Sequence, residues 1–269
     1  MKTRHRLDHA DFSTSLGLVP NRAIIDPDCR PTWPPAVTAW VDRYGDELRA
    51  GPGIVRLVEA EDEFRLLLEG HGVLTYHCSR FLDEELAAIR SDGLRPVSAH
   101  LIRRRIESAY RGGHLSRSQA DELHRRNPFE NFDQKATRVR SSLEARGQGV
   151  YLYLGRRGFE DSPFEYADWL GTWGGPTLFE PLGEQGDLRR VLRDLGRPSI
   201  VVAALEFQSD RFRAAIVDKF ALMFCTIEGD EPWLGGEICY RANISGEDII
   251  AVWQPGDPEY DRFAELPQN

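Results

Sequence analysis

Residues 72–80 read Gly-Val-Leu-Thr-Tyr-His-Cys-Ser-Arg. The run from Gly72 to Cys78 is rich in β-branched and aromatic residues, which marks a strand. It ends by setting an imidazole (His77), a thiol (Cys78), a hydroxyl (Ser79) and a cation (Arg80) side by side. A strand-end histidine has two readings. It is either a half-buried structural residue, or one member of a site whose other members lie far along the chain.

Outward from this strand the pattern is helices first, then strands. Leu82–Arg90 reads as a helix with acids in its first turn, which suits the N-terminal dipole. Pro96–Tyr110 carries Leu101, Ile102, Ile106 and Tyr110 on one face, and Ser116-x-x-Gln119 is a capping-box signature opening a helix over 117–126. Gly147–Gly155 contains a glycine-bounded strand, and Ser162–Leu170 a helix with Pro163 in its first turn. Residues 198–207, 220–227 and 236–244 read as strands, and 247–253 leads into a last one. Upstream, 36–49 has helical spacing and 54–70 is ambiguous between helix and strand. Residues 1–35 look like an irregular arm, and the segment from Pro255 like a loose polar tail. A run of helices followed by strands predicts an α+β fold rather than a doubly wound parallel sheet. The domain reading is an arm and short helix over 1–70, a catalytic domain over 71–255 with a helical insertion at 82–140, and a tail over 256–269.

Of 269 residues, 41% are hydrophobic and 29% charged, ordinary for a soluble globular chain. No window approaches a membrane span, so no membrane partner is expected. The N-terminus has no apolar core behind its basic residues, which argues against a secretory signal. Cys29, Cys78, Cys225 and Cys239 form no CxxC pair; Cys78, Cys225 and Cys239 sit in strand-like surroundings, so buried free thiols in a reducing, cytoplasmic setting are expected. A net charge of −9 argues against a general nucleic-acid coat. Arginines nevertheless gather at Arg103, Arg104, Arg105, Arg125, Arg126, Arg138 and Arg140, which makes a local basic face for a macromolecular partner. The histidines lack ligand spacing, so no metal is proposed. The Rossmann fingerprint, the P-loop, HExxH and Gly-x-Ser-x-Gly are all missing from the sequence.

Three segments stand out together: Tyr76-His77-Cys78-Ser79, Gly149-Val150-Tyr151-Leu152 and Gly236-Glu237-Ile238-Cys239-Tyr240. Each is a strand carrying one residue with chemical use, in the order His, Tyr, Glu. The series resembles the H-Y-E triad of ADP-ribosyltransferases of the diphtheria-toxin and poly-ADP-ribose-polymerase type. "YHCSRF" with the later "IRSDGL", "GQGVYLYLG" and "GGEICYRANISGEDIIAV" resemble that family's successive motifs. Cys78 stands where the family carries Gly. Gly235 stands where arginine-modifying relatives carry Glu or Gln, so an arginine acceptor is not implied.

The resemblance implies a split β-sheet core and NAD as substrate. It implies that His77 holds the adenine-side ribose, the Cys78 backbone the nicotinamide carboxamide, and Tyr151 the nicotinamide face. Glu237 would grip the nicotinamide ribose and stabilise positive charge, with Ser79, Ser162 and Tyr166 completing the pocket. Loss of nicotinamide passes through an oxocarbenium-like state, for which positioning and charge stabilisation carry the rate. The expected activity is mono-ADP-ribosyl transfer to protein or nucleic acid, in a toxin or phage-defence setting with an antitoxin partner. The alternatives are an RNA 2′-phosphotransferase, an NAD hydrolase, or a non-enzymatic binding module.

Overall fold

Strand β1 (Ile24–Ile25) runs parallel to the start of strand β2 (Gly72–Phe81), the spine of the sheet. Strands β3 (Val150–Leu154), β4 (Arg197–Glu206), β5 (Glu237–Tyr240) and β6 (Ile249–Trp253) complete it in the order β5-β3-β2-β4-β6, every neighbour in that order antiparallel. The computed structural model describes residues 23–49, 54–127, 129, 147–156, 163–182, 186–208, 211, 221, 224, 237–263, 266 and 267. These make an α+β architecture.

The sheet separates two apolar cores. Val73, Leu152, Val201 and Ile238 belong to one face, and Leu74, Tyr76, Tyr153 and Val202 to the other. Because both faces of β2 and β4 are covered, these strands read as near-continuous apolar runs rather than alternating ones. Helices α1 (Pro35–Arg49) and α2 (Ile54–Leu68) cover the first face. The segment that the sequence leaves between helix and strand is therefore α2. Its Phe64 ring packs 4.4 Å from Trp40, whose indole N–H donates to the Ala60 carbonyl at 3.0 Å.

Helices α3 (Asp83–Asp92), α4 (Ala99–Arg111) and α5 (Arg117–Arg125) fall within the expected insertion. Helix α4 starts later than expected because Ser98 caps it, its hydroxyl accepting from the Leu101 N–H at 3.1 Å. The capping box of α5 forms as read: Ser116 Oγ accepts from Gln119 N–H and Gln119 Oε1 from Ser116 N–H. Replacing Ser116 by Ala is expected to cost about 1 kcal/mol, and Asp at that position should retain most of it, read as urea midpoints. Helices α6 (Pro163–Gly171), α7 (Gly175–Phe179) and α8 (Gly186–Asp194) follow β3.

Three expectations change. Of the strand expected over 220–227, only Ala221 and Phe224 are described, and both are helical. Phe224 packs against Trp33 and Phe64. The tail is not loose where described: helix α9 (Pro258–Asp261) brings Tyr260, followed by Phe263 and Leu266, into the second core. The sheet is one connected sheet, joined across its middle at only two residue pairs, Thr75–Leu154 and Tyr76–Tyr153.

Candidate active site

Beyond Tyr76 the ladder between β2 and β3 stops, although β3 stays paired to β5 over Val150–Tyr153. The sheet parts there, and a cavity of about 390 Å³ opens in the gap. That volume lies in the range of small-molecule sites. His77, Cys78 and Ser79 line it from β2, and Gly149, Val150 and Tyr151 from β3. Helices α3 and α4 wall it, and Trp169, Gly174 and the first residues of α7 close another side.

His77 bridges the gap. Its Nδ1–H donates to the Tyr151 carbonyl at 2.8 Å, a group the missing ladder would otherwise have engaged. A carbonyl only accepts, so Nδ1 carries the proton and Nε2 of the neutral ring carries a lone pair. Burial pushes the imidazole below its ordinary value, the bond to Tyr151 opposes this, and the Arg105 charge adds to the depression. A depressed folded-state value means that stability is present above the unfolded pKa of 6.5 and is lost as pH falls through the folded value. Denaturant unfolding of the wild type is expected to weaken below that pH, and His77→Gln should remove this component of the slope.

Gly149 permits the close approach of β3 to β5. A Cβ there would lie 2.7 Å from Cys239 Sγ and closer still to the Tyr240 carbonyl. Cys78 is buried, and burial pushes its thiol well above the ordinary range, so the thiol is not poised as a nucleophile. Cys78 and Cys239 are free and buried, as expected from their strand-like surroundings; Cys29 is free and buried too, and Cys225 lies outside the described residues.

Glu237 opens β5, half-buried, directly opposite Tyr153. It shares the sheet face of Tyr153 and Tyr151 and is diagonal to Tyr151, an arrangement that sets Cα atoms about 7–8 Å apart. It is not among the residues lining the cavity. Tyr166 is buried, its ring 4.3 Å from Tyr153, and stands behind the cavity; Trp169, three residues on, supplies the wall instead. Ser162, Arg138 and Arg140 lie outside the described residues.

The sequence reading missed the helical walls. Glu85 on α3 accepts from Arg105 Nε at 2.5 Å, Arg105 Nη2 at 3.2 Å, Trp173 Nε1 at 2.8 Å and Leu82 N–H at 2.8 Å. Three of these donors meet at Oε2 and one at Oε1. Burial opposes its ionisation, but the Arg105 charge, with the bonds from Arg105, Leu82 and Trp173, outweighs this and holds it below the usual carboxylate value. Arg105 is thus no surface cation: it lies over the Trp173 and Phe81 rings. Arg125 and Arg126 both pair with Glu122. The expected basic face is reduced accordingly. Arg80, on the opposite side of β2 from His77, is buried with its guanidinium on the Leu195 and Gly196 carbonyls, at the end of α8.

No family model matches the chain, and no curated protein and no solved structure matches it either. Among the described residues there is no cluster with metal-ligand composition, and no helix is long and apolar enough to cross a membrane.

Proposed function

We propose that the protein is an NAD-dependent mono-ADP-ribosyltransferase acting on a macromolecular acceptor. The observation that carries this is the parting of β2 from β3 after Tyr76, which opens a cavity lined by His77, Cys78, Ser79 and Tyr151 together. An imidazole with its Nε2 lone pair available accepts a ribose hydroxyl. Tyr151 lines the same cavity and would offer its ring to the nicotinamide. The unpaired edge of β2 at Cys78 offers backbone groups to the carboxamide.

In the reaction the bond between ribose C1′ and the nicotinamide nitrogen breaks, and its electron pair stays on the departing, now neutral ring. Positive charge develops on the ribose, where the Glu237 carboxylate stabilises it. The acceptor nucleophile forms the new bond to C1′ and gives up its proton to that carboxylate or to water. Glu84, Glu85 and Asp92 also line the cavity, and the four donors to Glu85 tie that one to structure.

One observation favours a second reading, a nucleotide-binding module without turnover: Glu237 is not among the cavity-lining residues. The RNA 2′-phosphotransferase reading calls for several basic residues converging on the pocket: Arg80 is held by backbone carbonyls, whereas Arg95, Arg104 and Arg105 line the cavity. A toxin or defence role and a cytoplasmic setting rest on likeness to the family alone. Incubation with NAD labelled in the adenylate, alongside separate pools of protein, RNA and DNA, tests the proposal. Label on one pool with release of nicotinamide is expected. NAD binding without nicotinamide release would establish the binding module instead.

A further inference from the structure

The insertion helices turn one stripe each toward the cavity. On α4, Ile102, Ile106 and Ala109 are buried in the third core. The stripe Leu101, Arg104, Arg105 and Ser108, at positions i, i+3, i+4 and i+7, therefore faces the cavity. Helix α3 faces it with Glu84, Glu85 and Asp92. One wall is acidic and the other cationic.

These charges differ in how they are satisfied. Glu85 and Arg105 neutralise each other. Glu84 accepts from Ser108 Oγ at 3.4 Å and lies 4.0 Å from His114 Nε2, and Asp92 accepts from Ser91 Oγ at 2.9 Å. Arg104 is exposed and makes no hydrogen bond or ion pair with any other described residue. The same holds for Arg95, which lines the cavity just after the Leu94–Ile244 bridge. A guanidinium left unpaired beside a cavity offers paired donors to phosphate oxygens. The acids of α3 repel a diphosphate, which confines it to the α4 side, while they tolerate a cationic pyridinium.

We infer that Arg104, together with Arg95, binds the diphosphate of the ligand and gives the cavity its preference for nucleoside diphosphates over nucleosides. This rests on the NAD reading of the same cavity. It assigns the insertion to substrate recognition rather than to a nucleic-acid acceptor.

Calorimetric titration of wild type, Arg104→Ala and the Arg95→Ala/Arg104→Ala double variant with ADP-ribose, ADP and adenosine tests it. Both arginines are exposed, so the variants are expected to fold. ADP-ribose and ADP affinity should fall about tenfold in the single variant and further in the double, with adenosine unchanged in all three. Added salt should weaken ADP-ribose binding and leave adenosine binding alone. If wild type binds ADP-ribose and both variants bind it equally well, the inference fails and the NAD reading stands. If adenosine loses as much as ADP-ribose, the arginines shape the cavity without contacting phosphate, and the inference fails. If wild type binds neither ADP-ribose nor ADP, the inference and the NAD reading fail together.

Discussion

Glu237→Gln is expected to lower NAD turnover by at least a hundredfold while leaving NAD affinity within a few-fold of wild type. The carboxylate is proposed to act when positive charge develops on the ribose, so its loss appears in kcat rather than in ground-state binding. Removal of one preorganised electrostatic contact of this kind costs about 10²–10³ in rate. The amide keeps the size of the side chain at the start of β5, opposite Tyr153, so the sheet should be undisturbed. Nicotinamide release under single-turnover conditions, with circular dichroism as the folding control, reads both quantities. A variant with wild-type release would remove Glu237 from the chemistry and leave the sheet gap as a binding site only.

Glu85→Ala is expected to destabilise the protein by about 3–5 kcal/mol. Its carboxylate holds Arg105 against Trp173, accepts from the Trp173 indole N–H and caps the first turn of α3 through Leu82. Removing it leaves a partly buried guanidinium and a buried indole N–H without their acceptor. Glu85→Gln retains acceptors for Trp173 and Leu82 and should lose less. The pH dependence has a definite sign. The folded-state value lies below the ordinary 4.5, so this stabilisation is present above that pH and is lost as pH falls through the folded value. This window opens at 4.5, below the 6.5 at which that of His77 opens, and Glu85→Gln should flatten it alone. Urea unfolding between neutral and acid pH separates the two; equal stability of Glu85→Ala and wild type would contradict the role given to Glu85.

What the sequence made legible was local. Strands β2 to β6, the capping box at Ser116 and the helical stripe of α1 each carry their own periodicity or turn chemistry. The apolar run at 220–227 carries none, and its Phe224 packs against Trp33 and Phe64, distant in the chain. Tyr260, Phe263 and Leu266 recur at helical spacing among polar residues, a signal too sparse to outweigh the charges around it.

The site divides in the same way. His77, Cys78, Ser79 and Tyr151 could be named because each sits on a strand with a recognisable flank. The parting of β2 from β3 could not, because register is a relation between strands. Arg105 looked like a surface charge because its partners Glu85 and Trp173 are distant in the chain. The inward stripe of α4 becomes readable only once Ile102, Ile106 and Ala109 are known to be its buried side.

The most direct test is the structure of the protein bound to a non-hydrolysable NAD analogue. The account predicts the analogue in the gap between β2 and β3, with its nicotinamide on the Tyr151 ring, a ribose hydroxyl on His77 Nε2 and the Glu237 carboxylate at the nicotinamide ribose. An analogue bound elsewhere, or one seated in the gap with Glu237 turned away from the ribose, would contradict it.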